Sequence, residues 1–216
     1  MIKFKLGKQT VNVASSWDDV TFNQFLQILG LKGGDIYQAI SICSGIDYET
    51  LKSAKVIVGL EQLITAIQFI NTPAKFPDKV TTLGKYKLPL DSKGEFNPQF
   101  QRLDQFEDMR KAMAASDKGI IEVTEAYAKY CAIYLQPLRD GDYKFDSAMA
   151  MVEEVKQMPA REVIPAGSFF LIKLLSLSTG IKTTSLPTKQ TRKKSKPVSR
   201  NSKKRSGSTP RSRKSR

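Results

Sequence analysis

Residues 16–25 read Ser-Trp-Asp-Asp-Val-Thr-Phe-Asn-Gln-Phe, and they mark the place where strand gives way to helix. Thr21 followed three residues later by Gln24 is a capping box: each side chain satisfies the other residue's backbone N–H. Val20 and Phe25 hold the two positions of a hydrophobic staple. Phe22, Phe25, Leu26 and Leu29 follow at helical spacing, and Gly30 is a helix stop. Upstream, Ile2, Phe4 and Leu6 alternate with Lys3 and Lys5, and Val11 and Val13 alternate after a Gly7-Lys8 turn. That pattern is a β-hairpin with one apolar face. Trp17 is expected to pack the hairpin onto the first helix, with Asp18 and Asp19 at that helix's positive end.

Further helices follow from caps and stops. Asp35 caps Ile36 to Ser44 after a Gly33-Gly34 turn, and Gly45 ends it. Asp47 opens Tyr48 to Ala54. An apolar helix runs from about Leu60 to Ile70 and ends at Asn71-Thr72-Pro73, because proline cannot continue it. Pro73 to Pro98 holds four prolines and three strand-like pieces, around Val80, Tyr86 and Phe96, which reads as a small central hairpin or loop region and a sub-boundary of the body. Leu103, Phe106, Arg110 and Met113 predict a helix that ends before Gly119. Thr124 is expected to cap Glu125 to Leu135, Asp146 to cap Ser147 to Met158, and Pro165 to start Ala166 to Ser178, which Gly180 stops. The fold class is α+β, mainly α-helical: an N-terminal β-hairpin, a helical bundle, a small central hairpin and a disordered basic C-terminal tail. The boundary between globular body and tail falls at residues 182 and 183.

The chain has 216 residues, 40% of them apolar, and a net charge of +14. That charge is not spread evenly. Lys189 to Arg216 holds 13 Lys and Arg and no acid, and removing these from the 35 basic residues leaves 22 against 21 acidic. The body is therefore near neutral. Cys43 and Cys131 lie far apart in apolar helical surroundings and read as core fillers, not as a disulfide framework or metal site. No long apolar run opens the chain, so no signal peptide is expected. Phe169 to Leu177 is too short to span a bilayer. The chain reads as soluble and intracellular, with no membrane association.

No histidine is present. This removes Ser-His-Asp and Cys-His nucleophile pairs and imidazole metal ligands together. The remaining candidates for chemistry each have a plainer use. Asp18 and Asp19 precede a helix, where its dipole favours acids. Glu153 and Glu154 sit on an amphipathic helix. Gly30-Leu-Lys-Gly33-Gly34-Asp35 lies between two helices and lacks the Gly-Lys-Ser/Thr of a phosphate loop. Asp140-Gly141-Asp142 lacks the further ligands of a calcium loop. Phe169 and Phe170 read as core. No catalytic residue, metal ligand or cofactor is expected.

The tail demands an anionic environment. Its cations are Arg192, Lys193, Lys194, Lys196, Arg200, Lys203, Lys204, Arg205, Arg211, Arg213, Lys214 and Arg216, besides Lys189. With almost no apolar side chains, such a segment cannot offset its ordering entropy and is expected to be disordered. It would bind polyanions with counterion release, and without aromatic residues to stack on bases it would bind nucleic acid non-specifically. An acidic protein partner, a nuclear address or a solubilising tail are the alternatives.

Three stretches of the body also form an ordered set. The first is S-W-D-D-V-T-F-N-Q-F, of the pattern Ser-Trp-acid-acid-Val-Thr-x-x-Gln-aromatic. The second is S-I-C-S-G-I-D-Y-E-T-L, with a small-Gly-Ile-x-x-x-x-Leu turn. The third is M-P-A-R-E-V-I-P-A-G-S-F-F-L, similar to Leu-Pro-x-x-x-x-x-Pro-x-x-x-Phe-Phe-Leu with Met158 in place of the first Leu. Over residues 1–178 the chain resembles small tail assembly chaperones of tailed phages, often of gut Bacteroidetes hosts. The resemblance implies a non-enzymatic helper, acting in the cytoplasm of the infected bacterium or carried in the virion. It would coat the long tape measure protein while the tail tube polymerises, and could act as an oligomer. It implies no catalytic residues, and it does not cover the basic tail.

Overall fold

The computed structural model describes residues 1–6, 9–31, 35–53, 59–98, 100, 102–115 and 119–179, all within the compact unit Met1–Lys182. The expectations for Gly7-Lys8, Gly33-Gly34, Ala54, Gly180 and the basic tail lie outside the described residues. The described chain is α+β and mainly helical, with a small N-terminal β-hairpin and a helical bundle.

Strands β1 (Ile2–Leu6) and β2 (Gln9–Val13) pair antiparallel, with Ile2 opposite Val13 and Phe4 opposite Val11. Phe4 and Val13 are buried while Lys3 and Lys5 are exposed, as the two-residue period of a strand requires. A 3-10 turn, Trp17–Asp19, leads into α1 (Phe22–Leu29). Both bonds of the capping box are present: the Thr21 N–H donates to Gln24 Oε1 at 2.9 Å, and the Gln24 N–H to Thr21 Oγ1 at 3.2 Å. Helix α2 (Ile36–Ser44) is capped by Asp35 and ends on Gly45 at φ 71°, a left-handed conformation that glycine adopts without a Cβ penalty. Helices α3 (Tyr48–Ser53) and α4 (Leu60–Ile67), then a 3-10 turn over Gln68–Asn71, complete this half. Its apolar core gathers Phe4, Val13, Val20, Phe25, Ile40 and Leu63. The two staple residues thus lie in one cluster.

A second core belongs to α5 (Leu103–Ala115), α6 (Ile120–Asp140), α7 (Phe145–Lys156) and α8 (Ala160–Thr179). Helix α6 is its axis, and every residue from Tyr130 to Pro137 is buried. Helices α6 and α8 run antiparallel. Cys131 Sγ lies 3.9 Å from the Val163 carbonyl, and one turn away a Cβ added to Gly167 would fall 2.3 Å from Tyr127 Cβ. Strands β3 (Thr82–Leu83) and β4 (Tyr86–Lys87) form a minimal hairpin whose Leu83 is buried in this second core, and Leu90 bridges Phe96. Val80 is buried but lies outside the strands. The Glu162 carboxylate, in the first turn of α8, accepts from the Gly84 N–H at 2.6 Å and holds the hairpin to the bundle.

Three expected helix starts are moved. Thr124 lies inside α6 and its hydroxyl donates back to the Ile120 carbonyl at 2.6 Å, the bond a helical threonine makes in place of a cap. The start is Gly119. Lys144, not Asp146, is the N-cap of α7, and Asp146 sits in its first turn, where the dipole still favours it. Pro165 lies inside α8, which begins five residues earlier at Ala160. Pro159 therefore both closes α7's exit and opens α8.

One strap joins the two cores. Thr21 and Pro159 form an isolated antiparallel bridge, in which the Phe22 N–H donates to the Met158 carbonyl at 2.8 Å and the Ala160 N–H to the Val20 carbonyl at 2.9 Å. Phe22 is fully buried in the bundle core, and Ala160 in the N-terminal core. The opening stretch and the Met-Pro-Ala-Arg stretch, far apart in sequence, are thus adjacent in space.

Candidate functional site

The acid pair Asp18 and Asp19 does not converge. Asp19 accepts from the Ser15 N–H at 3.1 Å, the Ser15 hydroxyl at 3.0 Å and the Met1 ammonium. Partial burial alone would raise its pKa, but these donors hold the carboxyl below its usual range. Asp18 lies 3.8 Å from Arg161. Neither caps α1, because Thr21 already does. Trp17 packs on the first helix, as expected, within the cluster that holds Phe4 and Val13 of the hairpin, and it also reaches further along the chain. Its ring stands edge-on to Phe25 at 5.7 Å and Phe69 at 5.1 Å, and its Nε1–H donates to the Thr72 carbonyl. It clamps α1 to the turn after α4.

The other sequence candidates resolve into structural tasks. Glu153 pairs with Lys156 at 2.9 Å, and Glu154 with Lys85 at 3.1 Å and Arg139 at 3.6 Å. Asp140 is pushed down to about 2, chiefly by hydrogen bonding to Arg139 and then to Gln136. Gly141, at φ 85°, ends α6, and Asp142 pairs with Arg102 at 3.3 Å. Cys43 and Cys131 are buried free thiols; burial pushes Cys43 up to about 11 and moves Cys131 in the same direction. Such thiols are poor nucleophiles. Phe170 is buried and Phe169 packs beside it, with Phe96 5.5 Å and 5.0 Å from the two rings. Among the described residues no group of three or more His, Cys, Asp or Glu could hold a metal ion. No helix there is long and apolar enough to cross a membrane.

The described residues also form surface depressions. One, of about 590 Å³, is lined by Gln27, Asp35, Gln38, Ser41 and Tyr48 among others. Its polar groups serve one another: the Tyr48 hydroxyl donates to Asp35 at 2.8 Å, and Ser41 Oγ donates to the Ile46 carbonyl. Another, of about 490 Å³, lies beside the strap and brings Lys75, Lys79 and Arg161 together with Asp18 and Glu162. The acids there already hold Arg161 and the Gly84 N–H.

The features the sequence left unassigned are apolar side chains on the surface. Ile172 is 41% exposed and Leu175 47%, on the side of α8 away from buried Phe170 and Leu174. Ile120 and Ile121 are exposed at the start of α6, which the antiparallel register sets beside the last turns of α8. Leu103, Leu138 and Phe145 are exposed at the other end of the bundle. The wheel position of Ile172, about 200° from Phe170, is the one signal that separates it from the core positions. The twelve tail cations from Arg192 to Arg216 lie outside the described residues. No family model, curated protein or solved structure matches the chain.

Proposed function

We propose that the chain is a non-enzymatic phage morphogenesis factor, a tail assembly chaperone that shields the tape measure protein in the cytoplasm of the infected bacterium. Two supports meet in this reading. The first is the resemblance carried by the three sequence stretches, of which the first and third adjoin at the Thr21–Pro159 bridge. The second carries the mechanism: α8 is apolar on most faces, yet Ile172 and Leu175 stand in solvent. Ile172 and Leu175 stand one turn apart on the same side of the helix, and an amphipathic helix of a partner can lay its stripe against such a pair. A tape measure chain supplies such stripes in long repetition. Co-expression tests the reading. The tape measure protein should move into the soluble fraction and co-purify with this chain; no change in solubility and no co-purification would overturn it.

The second reading is a nucleic-acid-associated or virion structural protein. The observation that favours it is the run of 13 cations without an acid from Lys189 to Arg216. Binding to random DNA or RNA should weaken steeply with salt and vanish when residues 188–216 are removed. Many copies in purified virions would favour this reading over a transient chaperone.

A further inference from the structure

The N-terminal hairpin has only two strands, and β1 pairs with β2 alone among the described residues. Among the described residues its second edge carries no strand, which makes it an edge that a further strand can join. The two faces of β1 differ sharply. Phe4 points into the core at 8% exposure, with Ile2 beside it at 49%. Lys3 and Lys5 project from the opposite face, both exposed. Neither enters an ion pair among the described residues.

A strand added at this edge would place its side chains directly opposite those of β1, about 5 Å away. Charge decides which strand fits. A second copy of β1, paired antiparallel about Phe4, sets Lys3 against Lys5 of the other copy twice. Parallel pairing in register sets each lysine beside its own counterpart. Like charges directly opposite are destabilising, and edge lysines are a known guard against self-pairing. A strand with an acid opposite each lysine and an apolar residue opposite Phe4 meets neither obstacle. It extends the inner apolar face past Ile2 and neutralises the outer one. We propose that the free edge of β1 receives an extended segment of another protein, of the pattern acid–apolar–acid, by strand addition. The proposal stands apart from helix shielding by the bundle, since it uses a different surface and a different partner conformation.

Backbone amide hydrogen exchange on the full chain tests it, because it reads β1 separately from the cationic tail. The probe is the capped heptapeptide Thr-Val-Glu-Val-Glu-Val-Thr. At a concentration about ten times its Kd, β1 amides not bonded to β2 should exchange roughly tenfold more slowly, since they exchange from the unbound fraction. A peptide of equal charge with proline at the central valine should still meet the tail but give no slowing in β1. In the Lys3→Glu/Lys5→Glu variant, whose two sites are exposed, the acidic peptide should lose its effect and the lysine counterpart should gain it. No slowing in β1 with the acidic peptide, or equal slowing with both charge types, overturns the proposal. So does a wild-type chain that ignores the peptides while a Lys3→Thr/Lys5→Thr variant self-associates, because the lysines would then be guards and nothing more.

Discussion

The Gln105 side-chain amide donates to the Ile133 carbonyl at 3.2 Å inside the bundle core. That carbonyl is open because Pro137, four residues on in α6, has no N–H to offer it. Gln105 is 1% exposed, so a buried glutamine from α5 completes the hydrogen bonding of a proline-bearing helix. Gln105→Leu should cost about 2 kcal/mol, the penalty of a buried acceptor left unpaired. Pro137→Ala restores a backbone donor, so the double variant should recover part of the loss. Denaturant midpoints of the four proteins in the cycle measure this; strict additivity would deny the coupling.

Gly167 sets the approach of α8 to α6. An added Cβ would lie 2.3 Å from both Cβ and Cγ of Tyr127, atoms near the backbone that cannot swing aside. Gly167→Ala should therefore destabilise by about 2 kcal/mol despite alanine's better helix propensity. Thermal unfolding of Gly167→Ala/Tyr127→Gly, compared with each single variant, checks the cause, since only loss of the Tyr127 Cβ together with its ring removes both overlapping atoms.

Thr21→Ala removes one bond of the capping box and should cost on the order of 1 kcal/mol. Partner binding should be unchanged, because the hydroxyl serves α1 and nothing else. Loss of binding in a fully folded Thr21→Ala protein would return residues 16–25 to the list of functional sites.

Acid should weaken the fold in a defined window. Hydrogen bonding to Arg139 holds Asp140 down to about 2 against an ordinary 3.8. The Tyr48 hydroxyl lowers Asp35, and the Glu95 N–H lowers Asp91. Each folded-state pKa lies below the unfolded one, so the unfolded chain binds more protons between the two. The stabilisation is complete above about pH 4 and is lost as pH falls toward 2. The thermal midpoint at low salt should be flat from about pH 5 to 6 and drop below about pH 4. A midpoint unchanged down to about pH 2 would contradict this.

The sequence was legible where structure is decided locally. The capping box at Thr21 and Gln24, the Asp35 cap and the Gly45 stop depend on residues three or four apart, and all are present. Thr124, Asp146 and Pro165 carry start signals too, but packing overrode them. Thr124 can bond back to Ile120 inside a helix, and burial of α6 from Tyr130 to Pro137 carries that helix past its expected end at Leu135. The packing of Trp17 on α1 was legible, but its bond to Thr72 and its contact with Phe69 were not, because these partners are some fifty residues away. The surface apolar positions were not legible for the same reason. Ile172 and Phe170 are equally apolar; the helical wheel puts them on opposite sides of α8, and the placement of α6 shows which side is covered.

The central claim is that exposed apolar residues of the bundle shield a helical partner. Ile172→Glu/Leu175→Glu places charge on two exposed positions of α8 and should leave the thermal midpoint unchanged. The direct measurement is the fraction of the tape measure protein kept soluble on co-expression with each form. The wild-type chain should keep it soluble and co-purify with it, and the folded double variant should do neither. A wild-type chain that leaves the tape measure protein insoluble contradicts the function, and a double variant as effective as wild type contradicts the surface.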